Sequence, residues 1–163
     1  MQGNLLELKR ILVVDDEPDV LSALAELLAM CHVEKASSFI EAKELLETQS
    51  FDIAILDIMG VEGYELLEIA KKHGVIPVML TAHALTKDNL FRSFHSGAAS
   101  YIPKEKMSDI VVLLNDILEA REKGKHPWWR WFNRLGSYMD RKFGPDWKEE
   151  DKEFWKTTGV WWE

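Results

Sequence analysis

The chain has 163 residues, a net charge of −8 and one cysteine. This length allows one domain with a hydrophobic core, and the acidic balance argues against nucleic-acid binding, which depends on Lys and Arg neutralising phosphates. Since no stretch resembles a signal peptide or approaches the ~18 apolar residues of a membrane span, and the lone Cys31 excludes an intrachain disulfide, we expect a cytoplasmic protein.

Five short apolar runs predict five β-strands, at residues 11–14, 33–36, 53–56, 78–80 and 100–102. Each run is followed by a segment with helical spacing of apolar residues, and these segments start near Pro18, Ser38, Tyr64, Leu85 and Ser108. Pro18 suits the first turn of a helix, residues 38–41 have the form of a capping box, and Gly74 is a typical helix stop.

The alternation of strands and helices predicts an α/β fold with a parallel sheet that has helices on both faces. Right-handed crossovers leave few topologies, and a five-stranded doubly wound sheet commonly takes the strand order 2-1-3-4-5. Ligands of such sheets bind beyond the carboxyl ends of the strands. Residues that directly follow the strands are therefore the first candidates for a functional site.

Five reactive side chains stand at these strand ends: Asp15, Asp16, Asp57, Thr81 and Lys104. Crowded carboxylates repel one another unless a cation neutralises them, and Mg²⁺ suits such a site because it prefers hard oxygen ligands. A carboxylate can also act as a nucleophile and form an aspartyl-phosphate. Lys104 would then supply positive charge, and the Thr81 hydroxyl would donate a hydrogen bond to the phosphoryl group.

In this context the sequence resembles the response-regulator receiver family of two-component signalling, over about residues 8–122. The resemblance rests on four segments in chain order: Val13-Val14-Asp15-Asp16-Glu17, Ile55-Leu56-Asp57-Ile58-Met59, Thr81-Ala82 and Tyr101-Ile102-Pro103-Lys104. One acidic pair alone would say little. Five matched positions in order, each at the end of its own strand, are specific.

The resemblance implies a flavodoxin-like receiver fold in which Asp57 is the phosphorylation site and the catalytic residues are Asp57, Thr81 and Lys104. It implies a Mg²⁺ ion whose ligands are Asp15, Asp16, Asp57 and the backbone carbonyl of Met59. It also implies a switch pair, Thr81 and Tyr101. On phosphorylation the phosphate would draw the hydroxyl inward, and the aromatic ring would move into the vacated space.

Two departures from the family's pattern stand near the site. The family usually has Pro four residues after the acceptor and Gly four residues beyond that, whereas Val61 takes the first position here and Gly63 comes two residues early. We therefore expect a shortened loop beside the metal. The family also commonly follows the lysine with a proline in a cis bond. Here Glu105 follows, and because a non-proline cis bond costs ~3 kcal/mol, we expect a trans peptide and a shifted path into the last helix.

Each candidate also has an ordinary structural interpretation: a charge at a helix N-terminus for Asp15 and Asp16, a turn residue for Asp57, a helix cap for Thr81, a surface lysine for Lys104 and a half-buried strand tyrosine for Tyr101. Their joint occurrence favours the chemical interpretation for the first five. The five histidines show no metal-ligand pairing, so we expect no histidine metal site.

The C-terminal extension, residues 124–163, differs in composition from residues 1–123. It holds all seven tryptophans, and its 8 Lys and Arg stand against 7 Asp and Glu, compared with 12 against 21 in the preceding part. We therefore place a domain boundary near Gly124, with a receiver domain at residues 1–123. Within the extension, apolar spacing predicts a helix from Pro127 to a stop at Gly144, and Asp146 predicts the cap of a second helix that contains Trp147, Phe154 and Trp155.

So many aromatic side chains cannot all remain in water. They could pack on the receiver, form a dimer or partner surface, or lie on a membrane surface beside the basic residues Arg130, Arg134, Arg141 and Lys142. We expect the extension to pack against the face made by the fourth helix, fifth strand and fifth helix, or against that face of a second copy. The resemblance implies that this face serves partners, so phosphorylation would alter the exposure of the extension.

Three functions remain open. The first is a stand-alone response regulator, phosphorylated by a sensor histidine kinase or phosphotransfer protein, that signals to a downstream protein or through a homodimer and catalyses only its own phosphorylation and dephosphorylation. The alternative is a receiver-like adaptor that works without phosphorylation, which the shortened loop motivates. The third is an aspartyl-phosphate hydrolase, although such enzymes typically have a second acid where Met59 stands. We expect no nucleic-acid partner and do not favour a membrane partner.

Overall fold

The computed structural model describes residues 4–152, 154 and 156. Within them the strands are β1 (Arg10–Val14), β2 (His32–Ala36), β3 (Ile53–Leu56), β4 (Ile76–Thr81) and β5 (Tyr101–Pro103). The α-helices are α1 (Pro18–Leu27), α2 (Phe39–Thr48), α3 (Gly63–Lys72), α4 (Lys87–His95), α5 (Ile110–Glu122) and α6 (Trp131–Phe143). Two 3-10 helices cover Lys104–Asp109 and Pro145–Glu149.

The five strands form one parallel sheet in the order β2-β1-β3-β4-β5, which confirms the predicted topology. The inner strands are buried along nearly their whole length, as their continuous aliphatic sequence predicts. Val14 pairs with Leu56 in the register of β1 and β3. The residues that follow these two strands are therefore brought side by side at the carboxyl edge of the sheet.

The helix ends agree with the local signals in most places. Ser38 accepts a hydrogen bond from the backbone N–H of Glu41 at 3.2 Å, and the Glu41 carboxylate accepts one from the N–H of Ser37 at 2.8 Å. α4 begins two residues later than predicted, because Thr86 caps it by accepting from the N–H of Asn89.

The entry into α5 follows a different path from the one a continuous helix would take. The first six residues after β5 form a 3-10 helix, so α5 begins at Ile110 rather than at Ser108. Among the residues that the structure describes there is no cis peptide bond, and the peptide between Lys104 and Glu105 is trans as expected. No helix in the described part of the chain is long and apolar enough to span a membrane.

The C-terminal extension differs from its predicted form at the start and in its second half. α6 begins at Trp131 rather than at Pro127, because the backbone from His126 to Trp131 forms turns instead of a helix. Its end at Gly144, with a φ of 84°, is as predicted. Asp146 lies inside the second 3-10 helix with Trp147 and does not cap a longer helix. The predictions for Trp155, Trp161 and Trp162 fall outside the described residues.

The described part of the extension packs on the outer surface of α4, β5 and α5. The buried aromatic side chains of this layer are Trp128, Trp131, Tyr138, Trp147 and Phe154. Ring contacts join it to Phe91 and Phe94 of α4, and ion pairs join it to α5. The expected packing face is confirmed within one chain.

Candidate functional site

The carboxyl ends of β1 and β3 bring two buried aspartates together. Asp57 is 4% exposed and Asp15 is 1% exposed. The N–H of Asp57 donates to the carbonyl of Val14 at 3.0 Å, which ties the acceptor segment to the end of β1. Asp16, the next residue, is exposed at the mouth of the site. Two carboxylates thus lie inside the protein, and a third lies at its surface beside them.

Lys104, directly after β5, reaches across the edge of the sheet to these acids. Its ammonium nitrogen lies 2.8 Å from Asp15 Oδ2, 2.7 Å from Glu17 Oε1 and 3.3 Å from Asp57 Oδ2. The Lys104 side chain is only 10% exposed. It is therefore held in an ion-pair cluster, and the interpretation as a solvated surface lysine is wrong.

This cluster contains more negative charge than its single ammonium group can neutralise. Burial, with the charge of Asp15 added, raises the pKa of Asp57 to about 6, although Lys104 acts in the opposite direction. Burial alone would lower the pKa of Lys104, but its contacts with Asp15 and Glu17 and the charge of Asp57 raise it above its ordinary value. The site is therefore short of positive charge.

The loop after Asp57 has two positions, Gly60 and Gly63, at which a Cβ atom would clash with neighbouring atoms. A Cβ atom at Gly63 would stand 2.1 Å from the carbonyl oxygen of Asp57, and the Gly63 N–H donates to the carbonyl of Ile58 at 3.0 Å. Glu62 just before it adopts a left-handed conformation, with a φ of 54°. The early glycine thus closes a tight turn against the backbone of the acceptor residue, which explains the shortened loop in physical terms.

The same loop lies directly against the acid pair. At Gly60, where φ is 90°, a Cβ atom would stand 2.5 Å from Asp16 Oδ2. Met59 is 54% exposed, and the group of this residue that is relevant to metal binding is its backbone carbonyl. The glycine lets the backbone that follows Met59 approach the Asp16 carboxylate closely.

The donor set fits a hard divalent cation. Carboxylate oxygens of Asp15, Asp16 and Glu17 lie within 4.8 Å of one another. Asp15 Oδ1 accepts the N–H of Glu17, whereas the buried Asp15 Oδ2 has no aligned hydrogen bond within the described residues, despite its ion-pair contact with Lys104. A buried oxygen of this kind is costly unless a cation or donor satisfies it. Oxygen ligands beside a phosphoryl acceptor are typical of Mg²⁺ sites.

Thr81 and Tyr101 lie behind this edge, and both are fully buried. The Thr81 hydroxyl accepts the N–H of Ala84 at 3.1 Å in the loop before α4. Since Thr86 caps that helix, the interpretation of Thr81 as a helix cap is wrong. The Tyr101 hydroxyl donates to the carbonyl of Ala84 at 2.7 Å and accepts the N–H of Thr86 at 3.1 Å. Tyr101 is thus more deeply buried than the half-buried strand tyrosine of the sequence-based alternative.

The sequence-based reasoning missed the roles of Glu17, Gly60 and Gly63. Glu17 stands next to the predicted acid pair, but its pairing with Lys104 depends on the position of β5. The two glycines stand in the sequence, but their close approach to Asp16 and to the backbone of Asp57 depends on the tertiary structure. A cavity of about 660 Å³ beside Val75, Gly97 and Ile117 lies at the opposite edge of the sheet and takes no part in this site.

Comparison with known proteins agrees with this geometry. Residues 11–115 match the family described as response regulator receiver domain. The heme response regulator HssR of Staphylococcus aureus (strain Newman) is 41% identical over 113 residues, which cover 66% of this chain and 50% of that protein. The chain therefore spans about half the length of the curated relatives it matches.

Two solved structures with the same fold are more than 30% identical in sequence to this chain. A CheY-like response regulator receiver domain protein from Methanospirillum hungatei JF-1 is 31% identical with a TM-score of 0.63, and the match covers 72% of this chain and 98% of that one. The non-phosphorylated HemR receiver domain from Leptospira biflexa is 33% identical with a TM-score of 0.56, covering 66% and 93%. With the family match over more than half of its length, the chain belongs to the response regulator receiver domain family.

Proposed function

We propose that this chain accepts a phosphoryl group on Asp57 from a sensor histidine kinase or phosphotransfer protein, in a Mg²⁺-dependent reaction, and signals through protein–protein contacts. One observation carries the proposal. Asp57 is a buried carboxylate beside Asp15, and among the described residues the ammonium group of Lys104 is the one cation in contact with both acids. Such a site gains stability when a divalent cation binds, and the cation then offsets the negative charge that an incoming phosphoryl group adds.

The transfer is a displacement at phosphorus. An Asp57 carboxylate oxygen supplies the electron pair for the new P–O bond, and the P–N bond to the donor imidazole breaks, so that its electrons remain on the leaving nitrogen. Lys104, already 3.3 Å from Asp57 Oδ2, balances negative charge on the phosphoryl oxygens. The Thr81 hydroxyl uses a lone pair toward Ala84, and its proton has no acceptor among the described residues, so it is available to a phosphoryl oxygen.

The metal ligands in this proposal are Asp15, Asp16, Asp57 and the carbonyl of Met59. When bound, Mg²⁺ supplies the charge neutralisation that phosphoryl transfer needs. Asp15 Oδ2 is buried at the site and has the Lys104 ammonium group as its contact, at 2.8 Å, so a bound cation would share this oxygen with Lys104. Asp16 stands open to solvent, where an ion arrives.

Thr81 and Tyr101 form the switch pair of the proposed mechanism. The phosphoryl group would draw the Thr81 side chain toward Asp57, and the inward position of the Tyr101 ring would then be favoured. Tyr101 occupies an inward, hydrogen-bonded position. Residues 1–123 form the receiver unit of this proposal and residues 124–163 an added regulatory segment, and the chain catalyses only reactions of its own acyl phosphate.

Intact mass spectrometry after incubation with Mg²⁺ and a small phosphodonor such as acetyl phosphate tests the proposal. A single added phosphoryl group that disappears in the Asp57→Asn variant is the expected result. Absence of any adduct would contradict the acceptor role and favour an adaptor that works without phosphorylation. Steady release of phosphate from many donor molecules would instead indicate a hydrolase.

A further inference from the structure

Two indole groups of the C-terminal extension bind backbone carbonyls at the free edge of the sheet, one in β5 and one three residues before it. β5 is an edge strand, so its outward carbonyls have no neighbouring strand to donate to them. Trp128 Nε1 donates to the carbonyl of Ala98 at 2.7 Å, and Trp131 Nε1 donates to the carbonyl of Tyr101 at 3.0 Å. Both indole rings are buried. These bonds fix the position of the extension relative to the strand that carries Tyr101.

Charges on both sides of this contact are complementary. Asp116 and Glu119 on α5 are only 8% and 9% exposed. Arg134 binds Asp116 through two nitrogens, at 2.7 and 3.1 Å, and Arg130 lies 2.6 Å from Glu119. Because buried carboxylates without partners are costly, the arginines of the extension stabilise Asp116 and Glu119 at this surface.

A second set of contacts joins the extension to the acceptor site. Glu105 follows Lys104 directly, and its carboxylate accepts a hydrogen bond from the Tyr138 hydroxyl of α6. Lys142, one turn further along α6, lies 3.5 Å from the same carboxylate. The residue whose ammonium group contacts Asp57 is therefore one peptide bond away from a residue held by the extension.

The burial of the Tyr101 ring indicates whether phosphorylation strengthens or weakens the docking of the extension. The ring of Tyr101 is fully buried, and its backbone carbonyl is bound by Trp131. An outward ring position would break the hydrogen bonds of its hydroxyl with Ala84 and Thr86 and would direct the ring toward the α4–β5–α5 surface, which the extension covers. Docking of the extension and an inward Tyr101 therefore favour each other.

We propose that the C-terminal extension is a built-in occupant of the α4–β5–α5 surface, and that its docking is coupled through Glu105 and Tyr138 to a phosphoryl group on Asp57, so that phosphorylation tightens docking. The inference rests on the proposed acceptor function. Coupling between two binding events is reciprocal, so the docked extension also raises the affinity of the site for a phosphoryl group. Phosphorylation then closes this surface to other partners, and the unphosphorylated form exposes it more often.

Hydrogen exchange of the full chain, with and without Mg²⁺ and beryllofluoride as a phosphoryl mimic, tests the direction of the coupling. Amides of α6 should exchange more slowly with the mimic, by about fivefold or more, the lower range of ordinary allosteric couplings. Unchanged exchange, or faster exchange with release of the extension, would overturn the inference. Fluorine NMR reports beryllofluoride binding directly, and its absence in the full chain would remove the acceptor function together with the inference.

Point variants of the full chain locate the connection. Tyr138→Phe and Glu105→Ala should each reduce the mimic-induced protection of α6, and the double variant should lose no more than Glu105→Ala alone, because Glu105→Ala already removes the contact with Tyr138. Glu105→Gln keeps an acceptor oxygen for the Tyr138 hydroxyl and should retain most of the response. Glu150→Gln, which removes the ion pair with Lys87 on α4, is the matched control and should respond as the unaltered chain does. Equal behaviour of Tyr138→Phe and this control would refute the assigned route.

Discussion

Two buried carboxylate clusters in this chain have opposite charge balances. At the carboxyl edge of the sheet, two buried aspartates share one ammonium group with an exposed glutamate: Asp15, Asp57, Lys104 and Glu17. On α5, two nearly buried acids face three cations: Asp116 and Glu119 with Lys123, Arg130 and Arg134. The pKa of Asp57 is raised to about 6, chiefly by burial, whereas a hydrogen bond from Lys123, followed by the charge of Arg130, lowers the pKa of Glu119.

The difference shows that the supply of cations, together with burial, decides whether the pKa of a carboxylate is raised or lowered. Both clusters lie close to the protein interior, but among the described residues the α5 cluster has enough cationic side chains to neutralise its acids, and the cluster at the sheet edge does not. A perturbed carboxylate in an under-neutralised cluster is poised to bind a cation or react. The paired cluster instead stabilises one arrangement of α5 and α6. The following variants test this contrast.

The largest expected effect is on phosphorylation. Asp57→Asn should abolish acyl-phosphate formation, because the amide cannot supply the nucleophilic oxygen. Intact mass after treatment with acetyl phosphate and Mg²⁺ gives the measurement. Asp116→Asn removes a carboxylate from the paired cluster and should leave phosphorylation in place. A phosphorylated Asp57→Asn variant would refute the site.

The same substitution should stabilise the metal-free protein at neutral and higher pH. The folded pKa of Asp57 is about 6 against an ordinary value of 3.8, so the stability that its protonated form contributes is lost as pH rises between these two values and does not change further above them. In a chelating buffer, Asp57→Asn should exceed the unaltered chain by about 2–3 kcal/mol above pH 7. The gain should vanish near pH 4.

Urea unfolding across this pH range measures the effect. The control is Glu119→Gln, which removes an acid whose folded pKa is lowered. It should give no gain at pH 7, since its ionised form is the one that the cations stabilise. A similar gain in both variants would show that overall acidity, and not the local shortage of cations, sets the stability.

Magnesium binding should depend on the carboxylates at the carboxyl edge of the sheet, among them Asp16 beside the under-neutralised cluster. Asp16→Ala should weaken Mg²⁺ affinity by about tenfold or more, the scale on which loss of a supporting group acts at metal sites. Calorimetric titration of Mg²⁺ gives the measurement. Glu119→Gln should leave the affinity unchanged. An unaltered affinity in Asp16→Ala would exclude this residue from the metal site.

The smallest effect is expected where the paired cluster loses one cation. Arg134→Ala removes the two-nitrogen contact with Asp116 and should lower the free energy of unfolding by about 1 kcal/mol, a modest value because the arginine side chain is 43% exposed and screened by water. Arg141→Ala, an exposed residue on the same helix, should change stability by less than about 0.5 kcal/mol. Equal losses would argue against a specific role for the α5 ion pairs.

The sequence by itself determined the α/β architecture and the residues at the strand ends, whereas the strand order came from the order that such sheets commonly take. Continuous aliphatic runs that alternate with helical segments are typical of a parallel sheet buried on both faces, and the carboxyl ends of its strands then meet at one edge. Helix starts at Pro18 and Ser38 followed from local capping chemistry. The meeting of Asp15, Asp57 and Lys104 was predictable because the carboxyl ends of parallel strands lie at one edge of the sheet.

Only the tertiary structure decided the contacts that depend on distances between elements. The left-handed turn at Glu62 and the close approach at Gly63 arise because the loop must close against the backbone of Asp57, which no local pattern reports. α6 starts later than its apolar spacing predicts, because the turns before it place Trp128 and Trp131 against the edge of β5. The bond between Glu105 and Tyr138 joins residues 33 positions apart. Such pairings depend on how whole elements pack, and periodicity along the chain cannot specify them.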